Sequence, residues 1–111
     1  MNNSILVDVK TQLGYTEEAN PYDQDIIIDI NTALSALRQI GVGPEEGFLV
    51  TDSTQTWGDL IKDKFELLVS AKSYVFLKVR LMFDPPSNAT IIKSMQDNLK
   101  EIEWRLTIDA R

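Results

Sequence analysis

Apolar positions recur along this chain with helical spacing, and the pattern is richest between Phe65 and Phe83. There Leu68, Ala71, Val75, Val79 and Met82 form one stripe at about 100° per residue, widened by Phe76 and Phe83. A second stripe, Leu67, Tyr74, Leu77 and Leu81, falls on nearly the opposite side. A helix apolar on two sides needs neighbours on two sides. Either the chain's own segments wrap both sides, or part of this helix packs against another copy, because so short a chain has little to spare. The helix must end at Asp84-Pro85-Pro86, where each proline fixes φ and removes an N–H donor.

The same spacing predicts three further helices. Asn3 or Ser4 can cap a short one through Leu13, with Leu6, Val9 and Leu13 facing inward and Gly14 ending it. After a connecting loop from Tyr15 to Tyr22, Asp23 is a plausible cap for a one-sided helix to about Gln39, whose inner face carries Ile26, Ile30, Ala33, Leu37 and Ile40. Ser87 or Asn88 can cap the last helix, on which Ile91, Ile92, Met95, Leu99, Ile102 and Leu106 share about 100° of arc. Trp104 lies roughly opposite that stripe, among Lys93, Asp97, Lys100 and Glu101. Its indole therefore rests either on its own lysine stems or in a partner. Thr107 to Arg111 reads as a frayed, flexible tail.

Residues 41 to 64 interrupt the pattern. Gly41 to Gly47 is a breaker cluster, Phe48-Leu49-Val50 can run extended, and Thr51 to Gln55 is turn-like. Thr56-Trp57-Gly58-Asp59 has the form of a capping box with Asp in place of Glu, opening a short helical turn that uses Leu60 and Ile61. Long loops in compact domains tend to carry function, so Phe48, Leu49, Val50 and Trp57 are candidates for a loop that orders on a partner. The expected architecture is all-α: one domain over residues 1–111, a small bundle of about four main helices with a long loop between the second helix and the central one.

Composition changes this picture mainly by exclusion. At 43% apolar and 25% charged residues the chain reads as an ordinary folded protein. No apolar run reaches the ~18 residues of a bilayer span, and the start MNNSILVDVK lacks a signal peptide's layout, so a cytoplasmic protein or a particle built there is expected. Cysteine and histidine are both missing, which removes disulfides, thiolate chemistry, sulfur-ligated metals and imidazole bases. No phosphate loop, nucleophile elbow or dinucleotide fingerprint occurs. Asp25 and Asp29, one helical turn apart with Asp23 nearby, are the best candidates for binding Mg²⁺ or Ca²⁺, although Asp23 and Asp25 also suit the positive end of a helix. Ser70 and Ser73 beside Lys72 are better explained as a polar strip than as a serine–lysine pair. No catalytic residue, metal ligand or cofactor is assigned. A carboxylate–metal enzyme and an acidic helical protein-binding module, such as a nucleic-acid mimic, stand as alternatives to a structural role.

The net charge of −6 is unevenly placed. Residues 1 to 59 hold two basic side chains against ten acidic ones, a net −8, while residues 60 to 111 hold nine against seven, a net +2. That split disfavours a nucleic-acid-binding surface in the first half. It suits a molecule whose acidic side meets the less acidic side of an identical neighbour, the heterologous contact that closes into rings. Leu67, Tyr74, Leu77, Leu81 and Trp104 are the candidate subunit-interface residues.

Residues 74 to 86, YVFLKVRLMFDPP, resemble the small head-to-tail connector, or adaptor, proteins of long-tailed bacteriophages and related prophages. The likeness continues in Asp29-Ile30-Asn31-Thr32-Ala33-Leu34 before Gly41 and Gly43, in Thr56-Trp57-Gly58-Asp59, and in Lys100-Glu101-Ile102-Glu103-Trp104-Arg105-Leu106. Together these pieces cover most of the chain from residue 25 to 106. The resemblance implies a small helical domain that assembles as a ring on the portal protein, matches its symmetry, prolongs the DNA channel and docks the next head-completion (stopper) or tail protein. It implies a virion component assembled in the host cytoplasm, with DNA as passing cargo and no membrane, cofactor or catalytic residue. A net-negative channel wall would let DNA slide past, since phosphate contacts are what make nucleic acid adhere.

Overall fold

The structure, a computed structural model, describes residues 3–110. Its helices are α1 (Ile5–Gln12), α2 (Asp23–Gln39), α3 (Trp57–Leu60), α4 (Phe65–Phe83) and α5 (Ala89–Asp109), and among the described residues there is no strand, only an isolated bridge between Ser4 and Thr56. The expected all-helical bundle is thus the fold observed, with Phe48 to Val50 irregular rather than extended in a sheet. The whole forms a slab of 36 × 34 × 20 Å.

Local chemistry sets most helix ends. Ser4 Oγ accepts the Val7 N–H at 3.2 Å and caps α1, and Gly14, at φ 91°, takes the left-handed turn that closes it. Asn88 Oδ1 accepts the N–H groups of Thr90 and Ile91 and caps α5. At α2 the expected cap is corrected: Tyr22 occupies the cap position without a side-chain bond, and Asp23 is the first helical residue. The Asp23 carboxylate is drawn instead to Lys10, whose Nζ lies 2.9 Å away in an ionic contact. Lys10 is only 1% exposed, and its ammonium also donates to the Glu18 carbonyl at 2.6 Å. A buried cation must be surrounded by oxygens, and these two pull the α1–α2 loop and the start of α2 over α1.

Helix α4 lies between α2 and α5 and buries both of its stripes, with Leu68, Ala71, Val75 and Val79 from one and Leu67 and Tyr74 from the other. Both sets of neighbours therefore come from the same chain. The Tyr74 hydroxyl donates to Glu103 Oε1 at 3.1 Å and pins α5 in register. At its far end α4 turns Phe83 into an aromatic cluster, with ring centroids 6.2 Å from Tyr15 and 6.1 Å from Tyr22. Met82, which shares the first stripe in the sequence pattern, is 37% exposed. The α5 stripe is also less covered than its pattern suggests. Leu99 and Leu106 are buried, Ile92, Met95 and Ile102 half-buried, and Ile91 exposed, so cover increases from the first turns of α5 toward its C-terminal half. The expected frayed tail is corrected over residues 107 to 109, which continue the helix with Thr107 Oγ1 donating to the Glu103 carbonyl at 2.8 Å. Arg111 lies outside the described residues. No helix of the described residues is long and apolar enough to cross a membrane.

Replacing Lys10 by Met should strand the Asp23 carboxylate and the Glu18 carbonyl and lower stability by about 3 kcal/mol in urea unfolding. Lys93→Ala, which cuts an exposed pair to Asp97, should change it by no more than ~0.5 kcal/mol. Burial, with Glu103 beside it, pushes the Tyr74 hydroxyl up to about 12. A raised folded-state value means that this stabilisation is complete below the unfolded tyrosine value and lost as pH climbs toward about 12. Thermal midpoints measured across that alkaline window should fall more steeply for the wild type than for Tyr74→Phe.

Candidate interaction surface

Residues 41 to 64 leave the helical layer and return to it, but they are not a free loop. Val42, Val50, Trp57, Leu60 and Ile61 are all buried. Thr56 and Asp59 form the expected reciprocal capping box, Asp59 N–H to Thr56 Oγ1 at 3.2 Å and Thr56 N–H to Asp59 Oδ2 at 3.1 Å. This box places Trp57 inside the bundle, where its Nε1 donates to Asp8 Oδ2 at 2.7 Å and its ring meets the edge of Phe76 at 5.7 Å. Lys72 closes the same cluster, with Nζ 5.5 Å above the indole and 3.7 Å from Asp8 Oδ2. Backbone bonds from Ile5 N–H to Gln55 O at 3.0 Å and from Trp57 N–H to Asn3 O at 3.2 Å tie the segment to the start of the chain.

Two side chains of α2 hold the earlier part of the segment. Asn31 pairs with Val50 as a strand neighbour would, donating Nδ2 to its carbonyl at 2.9 Å and accepting its N–H at 2.8 Å. Arg38 donates through Nε and a terminal nitrogen to the Glu45 carbonyl at 3.0 and 2.7 Å, just before Gly47 at φ 94°. Between these clamps the chain presents Phe48, half-buried, and Leu49, 66% exposed. They line a 450 Å³ depression together with Leu34 and Arg38. Of the four loop residues singled out in the sequence, Val50 and Trp57 belong to the interior, and Leu49 with part of Phe48 is what another molecule can reach.

The five interface candidates are likewise divided. Leu67 and Tyr74 are buried within the protomer. Leu77 and Leu81 are half-buried on opposite flanks of α5. Leu77 lines a 260 Å³ depression with Val9, Leu13, Phe76 and Met95, and Leu81 lines a 550 Å³ groove with Met82, Leu99, Lys78, Lys93 and Lys100. Trp104, 66% exposed, stands on the outer side of α5 one turn beyond Lys100. Of the five candidates, the accessible ones therefore lie on α5 and the second half of α4 rather than along the whole second stripe.

The three carboxylates of α2 do not form one cluster. Asp23 is engaged by Lys10, and among the described residues no three acidic side chains are placed to hold a metal ion. Asp29 is held above the usual carboxylate range by partial burial first and by Asp25 second. Three features escaped the reading of the sequence: the burial of Lys10, the Asn31 clamp and the exposure of Ile28, 61% open to solvent. Only the last carried a signal, because in the run Ile26-Ile27-Ile28 the third residue lies about 200° from the first and must point away from the side that buries it.

Compared with known proteins, the chain matches the family described as phage connector protein over residues 5–111. No curated protein and no solved structure matches it.

Replacing Asn31 by Ala removes both bonds to Val50 and leaves its buried N–H without a partner. Hydrogen exchange at the Val50 amide should accelerate by at least about tenfold, and stability should fall by roughly 1–2 kcal/mol, with exchange in the middle of α4 shifted only by that global loss.

Proposed function

The chain belongs to the phage connector protein family, and from that premise we propose that it is a structural adaptor of the virion, assembled in the host cytoplasm. Copies form a ring on the portal, matched to its symmetry, that prolongs the DNA channel and docks the next head-completion or tail protein. The observation that carries this reading beyond family membership is the exposure of Trp104 on the outer side of α5. A tryptophan that is 66% exposed on a charged helix face has the character of a hot spot waiting for a partner. Leu77 and Leu81, half-buried, extend the candidate interface. Leu67 and Tyr74 serve it indirectly by holding α5 in place. Leu49, carried between the Asn31 and Arg38 clamps, is the part of the loop offered to the portal. The net −8 of the first 59 residues supports passage of DNA without adhesion where those residues face the channel.

Purified protein mixed with portal rings and imaged by cryo-electron microscopy should give closed rings seated on the portal. Because Trp57 is already buried, a blue shift of tryptophan emission on assembly should come from Trp104 and vanish in Trp104→Phe. Trp104→Ala should weaken association by about tenfold or more. Failure to associate with portal at any concentration would remove the adaptor reading.

A further inference from the structure

Resting on the ring reading above, we propose that neighbouring copies join by seating the Ile28 face of α2 of one copy in the α4–α5 groove of the next. The two surfaces complement each other in shape and in charge. On α2, Asp25, Ile28, Asp29 and Thr32 share one arc, pointing away from the buried Ile26, Ile30, Ala33 and Leu37. Ile28 is an apolar knob, and neither Asp25 nor Asp29 forms an ion pair among the described residues.

The groove is the reverse of this. Its apolar residues are Leu81, Met82 and Leu99, and its lysines are Lys78, Lys93 and Lys100. The two carboxylates on the same groove are occupied, Asp97 by Lys93 at 3.3 Å and Glu103 by the Tyr74 hydroxyl. Lys78 and Lys100 form no ion pair among the described residues, so the groove keeps two cations for two incoming carboxylates. Partial burial and Asp25 already disfavour the charge on Asp29, and a lysine from the next copy would relieve that.

Placement decides the symmetry. Helix α4 packs on α2 with one side and on α5 with another, and the outer face of α2 and the α4–α5 groove are two different surfaces of the protomer. A contact between unlike surfaces is heterologous, so each copy presents one used and one free face until a ring closes. A knob of one isoleucine and two carboxylates is small beside the ~1,200 Å² of a stable interface. Pairs are therefore weak on their own and accumulate where a template raises the local concentration.

The absence of cysteine from the chain permits a direct test. Full-length Ile28→Cys and Met82→Cys proteins, both altered at exposed positions, are mixed in equal amounts and oxidised. Disulfide heterodimers should exceed either homodimer by about tenfold. Adding K78E and K100E to the Met82→Cys chain should abolish that excess, and D25K with D29K in the Ile28→Cys chain should restore it. Heterodimers no more abundant than random pairing gives, or an excess indifferent to these charge reversals, would overturn the contact. Portal-bound rings in which the outer face of α2 lies away from the neighbour's groove would also overturn it while leaving the ring reading intact. Absence of any ring on the portal would strike the ring reading itself.

Discussion

The need of α4 for cover on two sides governs this molecule. Its nineteen residues carry apolar groups around most of the circumference, and water cannot be left against either stripe without forfeiting the burial that stabilises so small a chain. The chain meets that need by laying α2 along one side and α5 along the other. Once α4 is covered from within, the rest of the sequence must hold the two covering helices in place. The Pro85-Pro86 corner turns the chain back so that α5 lies along α4, and the Tyr74–Glu103 hydrogen bond fixes where along α4 it rests.

Polar side chains do the corresponding work for the loops. Lys10 gathers the Glu18 carbonyl and the Asp23 carboxylate, Asn31 holds Val50, Arg38 holds the Glu45 carbonyl, and Trp57 hands its N–H to Asp8. Lys10, Asn31 and Arg38 each tie an irregular segment to a helix, Trp57 ties α3 to α1, and at Lys10, Asn31 and Trp57 the bond satisfies a polar group that burial would otherwise leave unpaired. The 41–64 segment is in this way made part of the core at Val42, Val50 and Trp57, while Leu49 stays open to solvent between them.

What the sequence made legible, and what it hid, follow from the range of the interactions involved. Helical spacing, prolines and capping side chains are local, so the span of α4 and the Thr56–Asp59 box could be read directly and the cap of α5 narrowed to Ser87 or Asn88, of which Asn88 serves. Asp23 was misplaced by one position because its carboxylate answers to Lys10, thirteen residues away, rather than to its own helix. No local pattern marks a lysine as buried, and Lys10 looks like any exposed residue near a helix end. The surface was harder still. A clean stripe on α5 suggested burial, yet a stripe reports only that the residues share a side, not that another element reaches it, and at Ile91 none does. Leu67 and Tyr74 fell on the side of α4 that looked surplus, but α5 from the same chain covers it.

That displacement of the surplus, from the second stripe of α4 to the outer sides of α5 and α2, bears on how copies can meet. An interface built on Leu67 and Tyr74 would require α5 to peel away, exposing Leu99 and Leu106 and breaking the hydrogen bond to Glu103. An interface built on Trp104, Leu81 and Ile28 requires no unfolding, because these residues already stand at or near the surface of a finished protomer. The first arrangement would couple folding to assembly, as in obligate oligomers that have no stable monomer. The second lets the protomer fold before any association, so that residues outside the core, rather than the core itself, would set how strongly copies meet. The burial of Tyr74 within the protomer is the feature of the fold that favours the second.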